Sequence, residues 1–246
     1  MTETRQELWG GETAKAIGNF PVSGEPIPPP VARWLGRIKA AAARVNGELG
    51  LLDSGKAERI SAAGDRIAAG ELDDQFPIDV FQTGSGTSSN MNANEVIAAL
   101  AGAGVHPNDH VNMGQSSNDV FPSAVHLAAL DAATNRLLPA LDVLAGALAA
   151  KAEEFADIVK IGRTHLMDAT PLTLGQEFSG YEQQLTNDLK RLEFCLDGLY
   201  ELALGGTAVG TGLNTHPAFA EKAAAKIAEL AGLPFRSAPN KFESLA

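Results

Sequence analysis

The stretch LGQEFSGYEQQLTNDLKRLEFCLDGLYEL, residues 174–202, decides the fold. Leu174, Phe178, Tyr181, Leu185, Leu189, Leu192, Leu196, Leu199 and Leu202 recur at spacings of three and four, which is the period of one helical face. A single long helix is expected there. Upstream, Val125, Ala128, Ala132, Leu137, Leu141, Leu144 and Leu148 trace a second long stripe, with Pro122 near its start and Pro139 as the expected kink. Helices of this length lie side by side in bundles. Further towards the N-terminus, a Pro/Gly-rich segment, Gly24 to Pro30, precedes another apolar face made by Val31, Trp34, Leu35, Ile38, Ala42, Val45 and Leu49. Ser54 is the expected N-cap of a helix running to about Ala69, followed by an acidic turn from Gly70 to Pro77. A shorter helix is expected from Pro217 to Leu230, before Ala231-Gly232. No internal repeat or low-complexity segment interrupts this pattern, and a domain boundary is placed near Gln115.

Composition agrees with a mainly α chain. Alanine and leucine dominate while aromatic residues make up 6% of 246 positions, so residue propensity favours helix over sheet. The formal charge of −11 argues against a nucleic-acid or anionic-membrane partner, because phosphates would be repelled across most of the surface. A site for an anion must therefore supply local donors. The lone cysteine, Cys195, excludes a disulfide framework or a cysteine-based zinc site and suits a reducing compartment. Met1 to Glu7 carry no apolar signal core, and no stretch approaches ~20 uninterrupted apolar residues. A cytoplasmic location is expected.

Three polar segments beside these helices have more hydroxyls, amides and glycines than ordinary connectors. The first, Gln82 to Asn92, contains Gly84-Ser85-Gly86-Thr87-Ser88-Ser89 and leads into the apolar residues Val96 to Leu100. A glycine-flexed loop opening a helix presents backbone N–H groups, hydroxyls and the positive end of the helix dipole, which suit a carboxylate. N-capping by Thr87 or Ser88 is the alternative reading. The segment is not a dinucleotide fingerprint, because position 89 is serine where that frame needs glycine.

The second segment joins His106-Pro107-Asn108-Asp109-His110 to Gln115-Ser116-Ser117-Asn118-Asp119. Two serines and an asparagine just before a long helix can donate several neutral hydrogen bonds to one carboxylate. An Asx-turn with an N-cap is the alternative. His106 and His110 share the i,i+4 spacing of a helical metal pair, but Pro107-Asn108 favours a turn, so no metal is expected. The third segment, Gly162-Arg163-Thr164-His165-Leu166-Met167-Asp168-Ala169, carries a histidine, the side chain most suited to proton transfer near neutrality. A structural histidine is the competing reading, and His126 and His216 are read as structural. Gly205 to Asn214 begins like a phosphate loop but lacks lysine after Gly210, so it is read as a tight helix-helix connection.

Taken together, Gly84 to Val96, His106 to Asp109, Gln115 to Asp119, Gly162 to Ala169 and Gly205 to Asn214, in this order, resemble the class II fumarate hydratases of the fumarase/aspartase superfamily. The resemblance covers nearly all of the chain. It implies a mainly α fold with a helical N-terminal domain, 1–115, and the first part of a long-helix central bundle, 116–246. It also implies a homotetramer whose active sites are shared between subunits, with no cofactor and no metal, converting fumarate to (S)-malate in the tricarboxylic acid cycle. By resemblance, Ser85, Gly86, Thr87, Ser116, Ser117, Asn118 and Thr164 bind substrate, and His165 is the proton donor or acceptor. His106, Pro107, Asn108 and Asp109 resemble a secondary dicarboxylate site, in which a basic residue of some relatives is replaced by Ala103.

Two departures from the family pattern are expected. The segment before Glu7-Leu8-Trp9 is shortened, and the loop Gly-Ser-Ser-x-Met-Pro-x-Lys-x-Asn is absent, so the chain is read as a fragment. Its long helices are then expected to expose apolar faces. Aspartate ammonia-lyase shares the general elimination, but relatives there carry Gln at the position of His165 and Thr at that of Ser117. A catalytically inactive piece acting only in assembly is the reading from a different class.

Overall fold

In a computed structural model, which describes residues 6–246, the expected helical stripes form helices. Residues 1–5, part of the segment expected to lack a signal core, lie outside the described residues. The chain divides into two units, one formed by residues 1–128 and 200–246, the other by residues 129–199. The boundary placed near Gln115 from the sequence thus falls inside the first unit.

The first unit is built from α1 (Gly11–Asn19), α2 (Pro29–Glu48), α3 (Ser54–Ala68), α4 (Thr87–Ala101) and the start of α5 (Ser117–Ala132). Pro29 and Pro30 begin α2 where a missing N–H costs nothing, since the first-turn N–H groups have no intrahelical acceptor. The cap of α3 is Asp53 rather than Ser54: its carboxylate accepts the Lys56 N–H at 3.0 Å, and aspartate at that position meets the helix dipole with a full charge. A 3-10 turn, Asp73–Gln75, lies in the acidic segment expected to be a turn. Leu35, Ile38 and Val45 of α2, Ile60 and Ile67 of α3, and Val96 and Ile97 of α4 are fully buried and form the centre of the core.

The tightest approach is between α2 and α3. A Cβ added to Gly64 would lie 2.6 Å from the Gly36 carbonyl oxygen, and one added to Gly36 would lie 2.8 Å from the Gly64 carbonyl oxygen. The two glycines let the backbones touch, so neither helix can gain even a methyl group at the crossing without moving.

The second unit contains α6 (Leu138–Glu154), a hairpin of β1 (Val159–Thr164) and β2 (Met167–Thr173), and α7 (Leu174–Leu199). The backbone stays helical from α5 into α6, with a π-helical turn, Ala133–Leu137, between them just before Pro139, the residue expected to kink the stripe. The α6 and α7 helices pack on each other. Even so, α6 has no buried residue and α7 buries only Gly175. Val143 is 75% exposed and Phe194 86%, so the apolar faces expected from the stripes are largely uncovered in this chain.

Beyond α7 the chain returns to the first unit. The long stripe ends at Leu199 rather than Leu202, because Glu201–Leu202 forms β3, paired in parallel with β4 (Arg236–Ser237). Between them lies α8 (Phe219–Ala231), two residues inside the expected start and closed by Gly232 at φ +65°. A last short turn, α9 (Lys241–Ser244), is capped by Asn240. Phe219 and Ile227 bury α8, which packs against α2. No helix among the described residues is long and apolar enough to cross a membrane.

Because the crossing leaves no room at Gly64, Gly64→Ala is expected to lower unfolding stability by about 1–3 kcal/mol from overpacking. Alanine's helix propensity, worth roughly 1 kcal/mol over glycine in an exposed helix, will not rescue it. Chemical denaturation checks this, and a stabilised variant would refute the close crossing.

Candidate active site

The loop before α4 is shaped by Gly86. It is the N-cap residue, at φ +67°, and a Cβ there would fall 2.2 Å from the Phe121 ring. Glycine is therefore required twice over, by the left-handed backbone and by the aromatic ring seated on it. Neither Thr87 nor Ser88 caps the helix, since both lie inside it and the capping residue has no side chain. Instead, Gln82 reaches forward: its Oε1 accepts the Ser89 N–H at 3.1 Å and the Ser89 hydroxyl at 3.0 Å, while its Nε2 donates to the Asp79 carbonyl. Ser85 and Thr87 stay exposed, with their hydroxyl oxygens 2.9 Å apart. The first turn of α4 contains no acidic residue, so its positive end is not neutralised there.

The second donor segment opens α5. Asp119 is fully buried in its first turn and accepts three backbone N–H groups, from Ser116, Gly205 and Thr207, each at 2.9 Å. Burial pushes its carboxyl up to about 6, against the pull of those three donors and of the Lys39 charge. Ser116, Ser117 and Asn118 are thereby held in place. The Asn118 amide donates to the Ala208 carbonyl at 2.9 Å, and the Ser117 Oγ accepts from the Asn90 amide at 3.0 Å. That last bond ties α5 to α4. Ser85 and Asn118 consequently line one surface cavity of about 410 Å³, with Gly84, Phe121, Pro122 and His126. Six of the seven residues expected to bind substrate, namely Ser85, Gly86, Thr87, Ser116, Ser117 and Asn118, thus occupy the N-terminal ends of two helices joined by Asn90.

Beneath this site lies a polar cluster that sequence reasoning missed. Lys39 is 0% exposed, and its Nζ donates to Asn112 Oδ1 at 2.7 Å. Asn112 Oδ1 also accepts from the Asn90 amide at 3.3 Å. Burial pulls the Lys39 amine down to about 7, with only the Asp119 charge opposing. A lysine flanked by Ile38 and Ala40 reads as a solvated position, and only the asparagine-rich run Asn90-Met91-Asn92-Ala93-Asn94 hints at buried polar chemistry.

Thr164 and His165 belong to the second unit. Their segment, expected simply as a loop ahead of a long helix, is the tip of the β1–β2 hairpin. His165 and Leu166 both have positive φ, 48° and 60°, the backbone of a tight two-residue hairpin turn. Thr164 and His165 are exposed there. Thr164 pairs with Met167 across the ladder, and Arg163 pairs with Asp168, their side chains 3.4 Å apart. A histidine in left-handed backbone at a hairpin tip is held in a sparsely populated conformation and carried clear of its own strands.

The secondary segment lies just beyond the C-terminal end of α4. His106 caps a π-helical turn, Pro107–Val111, and its Nδ1 accepts the Asp109 N–H at 3.2 Å. Pro107 is half-buried, while Asn108 and Asp109 are exposed. His110 does not face outward as half of a metal pair. Its Nδ1 accepts the His106 N–H at 2.8 Å, and its Nε2 lies 2.9 Å from Lys56 Nζ. Burial, then the Lys56 charge, lowers the His110 pKa. Among the described residues no group of three or more His, Cys, Asp and Glu side chains could hold a metal ion. The remaining histidines contact backbone: His126 Nδ1 lies 3.1 Å from the Glu201 carbonyl, and His216 Nδ1 accepts the Ala218 N–H. Gly205 to Asn214 connects β3 to α8, and its backbone N–H groups serve Asp119.

The buried amine generates a pH prediction. With Lys39 near 7 in the folded protein and at its model value of 10.5 when unfolded, the unfolded state binds the extra proton between those values. Wild-type stability therefore rises with pH across that window, and Lys39→Met removes the rise. The melting-temperature difference, variant minus wild type, is expected to shrink steadily from about pH 7 to about pH 10. A difference independent of pH would show that the amine is not held deprotonated by burial.

The chain is similar to known proteins over nearly its whole length. The curated class II fumarate hydratase of Nitrosomonas europaea is 58% identical over 249 residues, covering 97% of this chain and 54% of that protein. The one from Neisseria meningitidis is 57% identical over 250 residues, covering 98% and 54%. A crystal structure of recombinant class II fumarase from Schistosoma mansoni superposes with a TM-score of 0.92 at 38% identity, covering 98% of this chain and 56% of that one. The chain spans about half the length of the curated relatives it matches. Across residues 1–246 the sequence also matches the lyase family, and the chain belongs to that family.

Proposed function

We propose that this chain serves a fumarate hydratase, adding water reversibly to fumarate to form (S)-malate in the tricarboxylic acid cycle. The observation that carries the reading is the set of neutral donors at the paired N-termini of α4 and α5, tied together by the Asn90–Ser117 hydrogen bond. The similarity to proteins named class II fumarate hydratase supports it. A chain of net charge −11 repels a dicarboxylate at long range, so recognition must come from oriented hydroxyls, amides and helix ends at contact distance.

In dehydration, a base removes the proton from the carbon beside one carboxylate of malate, and negative charge grows on that carboxylate. Ser85, Thr87, Ser116, Ser117, Asn118 and Thr164 are the donors proposed to bind the substrate and stabilise that charge, with the Gly86 backbone at the helix end. The carbon–oxygen bond then breaks, and His165, as the imidazolium, gives its proton to the departing hydroxide to release water. In hydration, neutral His165 takes a proton from the attacking water, either directly or through a second water. No cofactor or metal is assigned a role.

The wider proposal follows the family. The active protein is a cytoplasmic homotetramer with active sites shared between subunits, and residues 1–115 and 116–246 belong to its N-terminal and central domains. The uncovered apolar faces of α6 and α7 suit such an assembly. His106, Pro107, Asn108 and Asp109 form a secondary dicarboxylate site. Ala103 supplies no cation to it, whereas Lys56 and Arg59 approach from α3, Arg59 through the Ala101 and Ala103 carbonyls.

In protein expressed from its complete gene, His165→Asn is expected to lower the rate of fumarate hydration by about 10²–10⁴-fold, the usual worth of a general acid–base group. Sedimentation should find the oligomer unchanged. Near-wild-type turnover would overturn the role of His165, and a wild-type protein inert towards both fumarate and malate would overturn the reaction.

A further inference from the structure

We propose that Lys39 is a positioning residue that sets the hydrogen-bond direction of the substrate-binding Ser117 through Asn112 and Asn90, and so keeps the Ser117 O–H aimed at a bound carboxylate. The inference deepens the fumarate-site reading and rests on it for the role of Ser117. Its basis is the geometry of the buried chain of polar groups under the helix termini.

An ammonium or amine next to an amide oxygen can only donate to it, so Lys39 Nζ, 2.7 Å from Asn112 Oδ1, fixes which end of the Asn112 amide faces it. The other end agrees: Asn112 Nδ2 donates to the Gln115 carbonyl at 3.2 Å. With an oxygen presented at Asn112, Asn90 must offer its NH₂ group, which it does at 3.3 Å. The same NH₂ group donates to Ser117 Oγ at 3.0 Å. A hydroxyl that accepts there cannot direct its own hydrogen along that line, so the hydrogen points elsewhere. Among the described residues, Ser117 Oγ has no acceptor, which leaves the O–H to an incoming anion.

The orientation is imposed rather than comfortable for Asn90. Its Oδ1 is buried and has no hydrogen-bond partner. Turning the amide over would set Oδ1 against Asn112 Oδ1 and reverse the Ser117 bond, with the hydroxyl donating to Asn90 instead of accepting, so the unpartnered oxygen persists as long as Lys39 holds Asn112. A buried lysine is costly when its charge has no close counter-ion, and the burial of Lys39 directly below the donor segment is the feature this role explains. Lys39 touches no substrate. Its effect must pass entirely through Ser117.

That requirement gives the test. Lys39→Met keeps the volume and removes the donor. In protein from the complete gene, it is expected to lower kcat/KM for fumarate by about tenfold or more, the loss of one hydrogen bond to a charged group, while the protein still melts cooperatively. In a Ser117→Ala background the same change should cost less than about twofold, because the hydroxyl it aims is gone. The identical cycle read as calorimetric binding of succinate, which cannot react, should show the same coupling. If the two losses multiply independently, or if folded Lys39→Met keeps wild-type kcat/KM and succinate affinity, the proposal is overturned. Should Lys39→Met fail to fold, Lys39→Leu, which likewise carries no donor, is put through the same cycle with the same criteria. A wild-type protein that binds succinate but does not hydrate fumarate would overturn the reaction and leave the succinate cycle to decide the relay. One that binds no dicarboxylate would overturn both.

Discussion

The first unit depends on one buried carboxylate. Asp119 accepts the Ser116 N–H from its own helix start and the Gly205 and Thr207 N–H groups from a segment more than eighty positions away. Each of those amides would otherwise be an unpaired donor in the interior, at a cost comparable to a lost hydrogen bond. Their convergence on Asp119 brings residues 200–246 back onto residues 1–128, so the unit is discontinuous in sequence. Around this closure β3 and β4 pair, α8 packs against α2, and the glycine-rich turn from Gly205 to Asn214 acquires its shape.

The same closure arranges the donor surface. Because Asp119 sits two residues after Ser117, whatever fixes Asp119 also fixes the serines and Asn118 at the head of α5. Asn90 then couples α5 to α4, where Gly86 allows the Phe121 ring to lie on the loop and leaves Ser85 and Thr87 exposed. A protein with excess negative charge thereby presents neutral donors and helix ends where an anion is proposed to bind. Lys39, in the cluster below, is buried with an amine pulled towards neutrality, which suits the proposed action through hydrogen-bond direction more than through charge.

The second unit follows a different logic. Its helices pack on each other but leave large apolar residues such as Val143 and Phe194 uncovered, a surface whose composition suits burial in a larger assembly. The β1–β2 hairpin was not legible from the sequence. Gly162-Arg163-Thr164-His165 has no Asn-Gly or Asp-Gly turn signal, and positive φ at His165 and Leu166 is stabilised by the register of the strands on either side rather than by those residues themselves. The cap of α3 falls at Asp53, one residue before the expected Ser54, and the irregularity expected at Pro139 is a π-helical turn just before it, because such details depend on single hydrogen bonds that periodicity does not encode.

By itself, the sequence determined the mainly α class, the course of the long helices and the polar segments that carry the family resemblance. Apolar residues at spacings of three and four, and glycine–hydroxyl runs at helix starts, are local patterns with local physical meaning. Only the tertiary structure decided that Lys39 is buried, that Asn112 and Asn90 connect it to Ser117, and that Asp119 binds a distant turn. These are contacts between residues far apart in the chain. Whether a lysine among alanines is solvated or buried depends on which helix packs over it, and no pattern within its own helix records that.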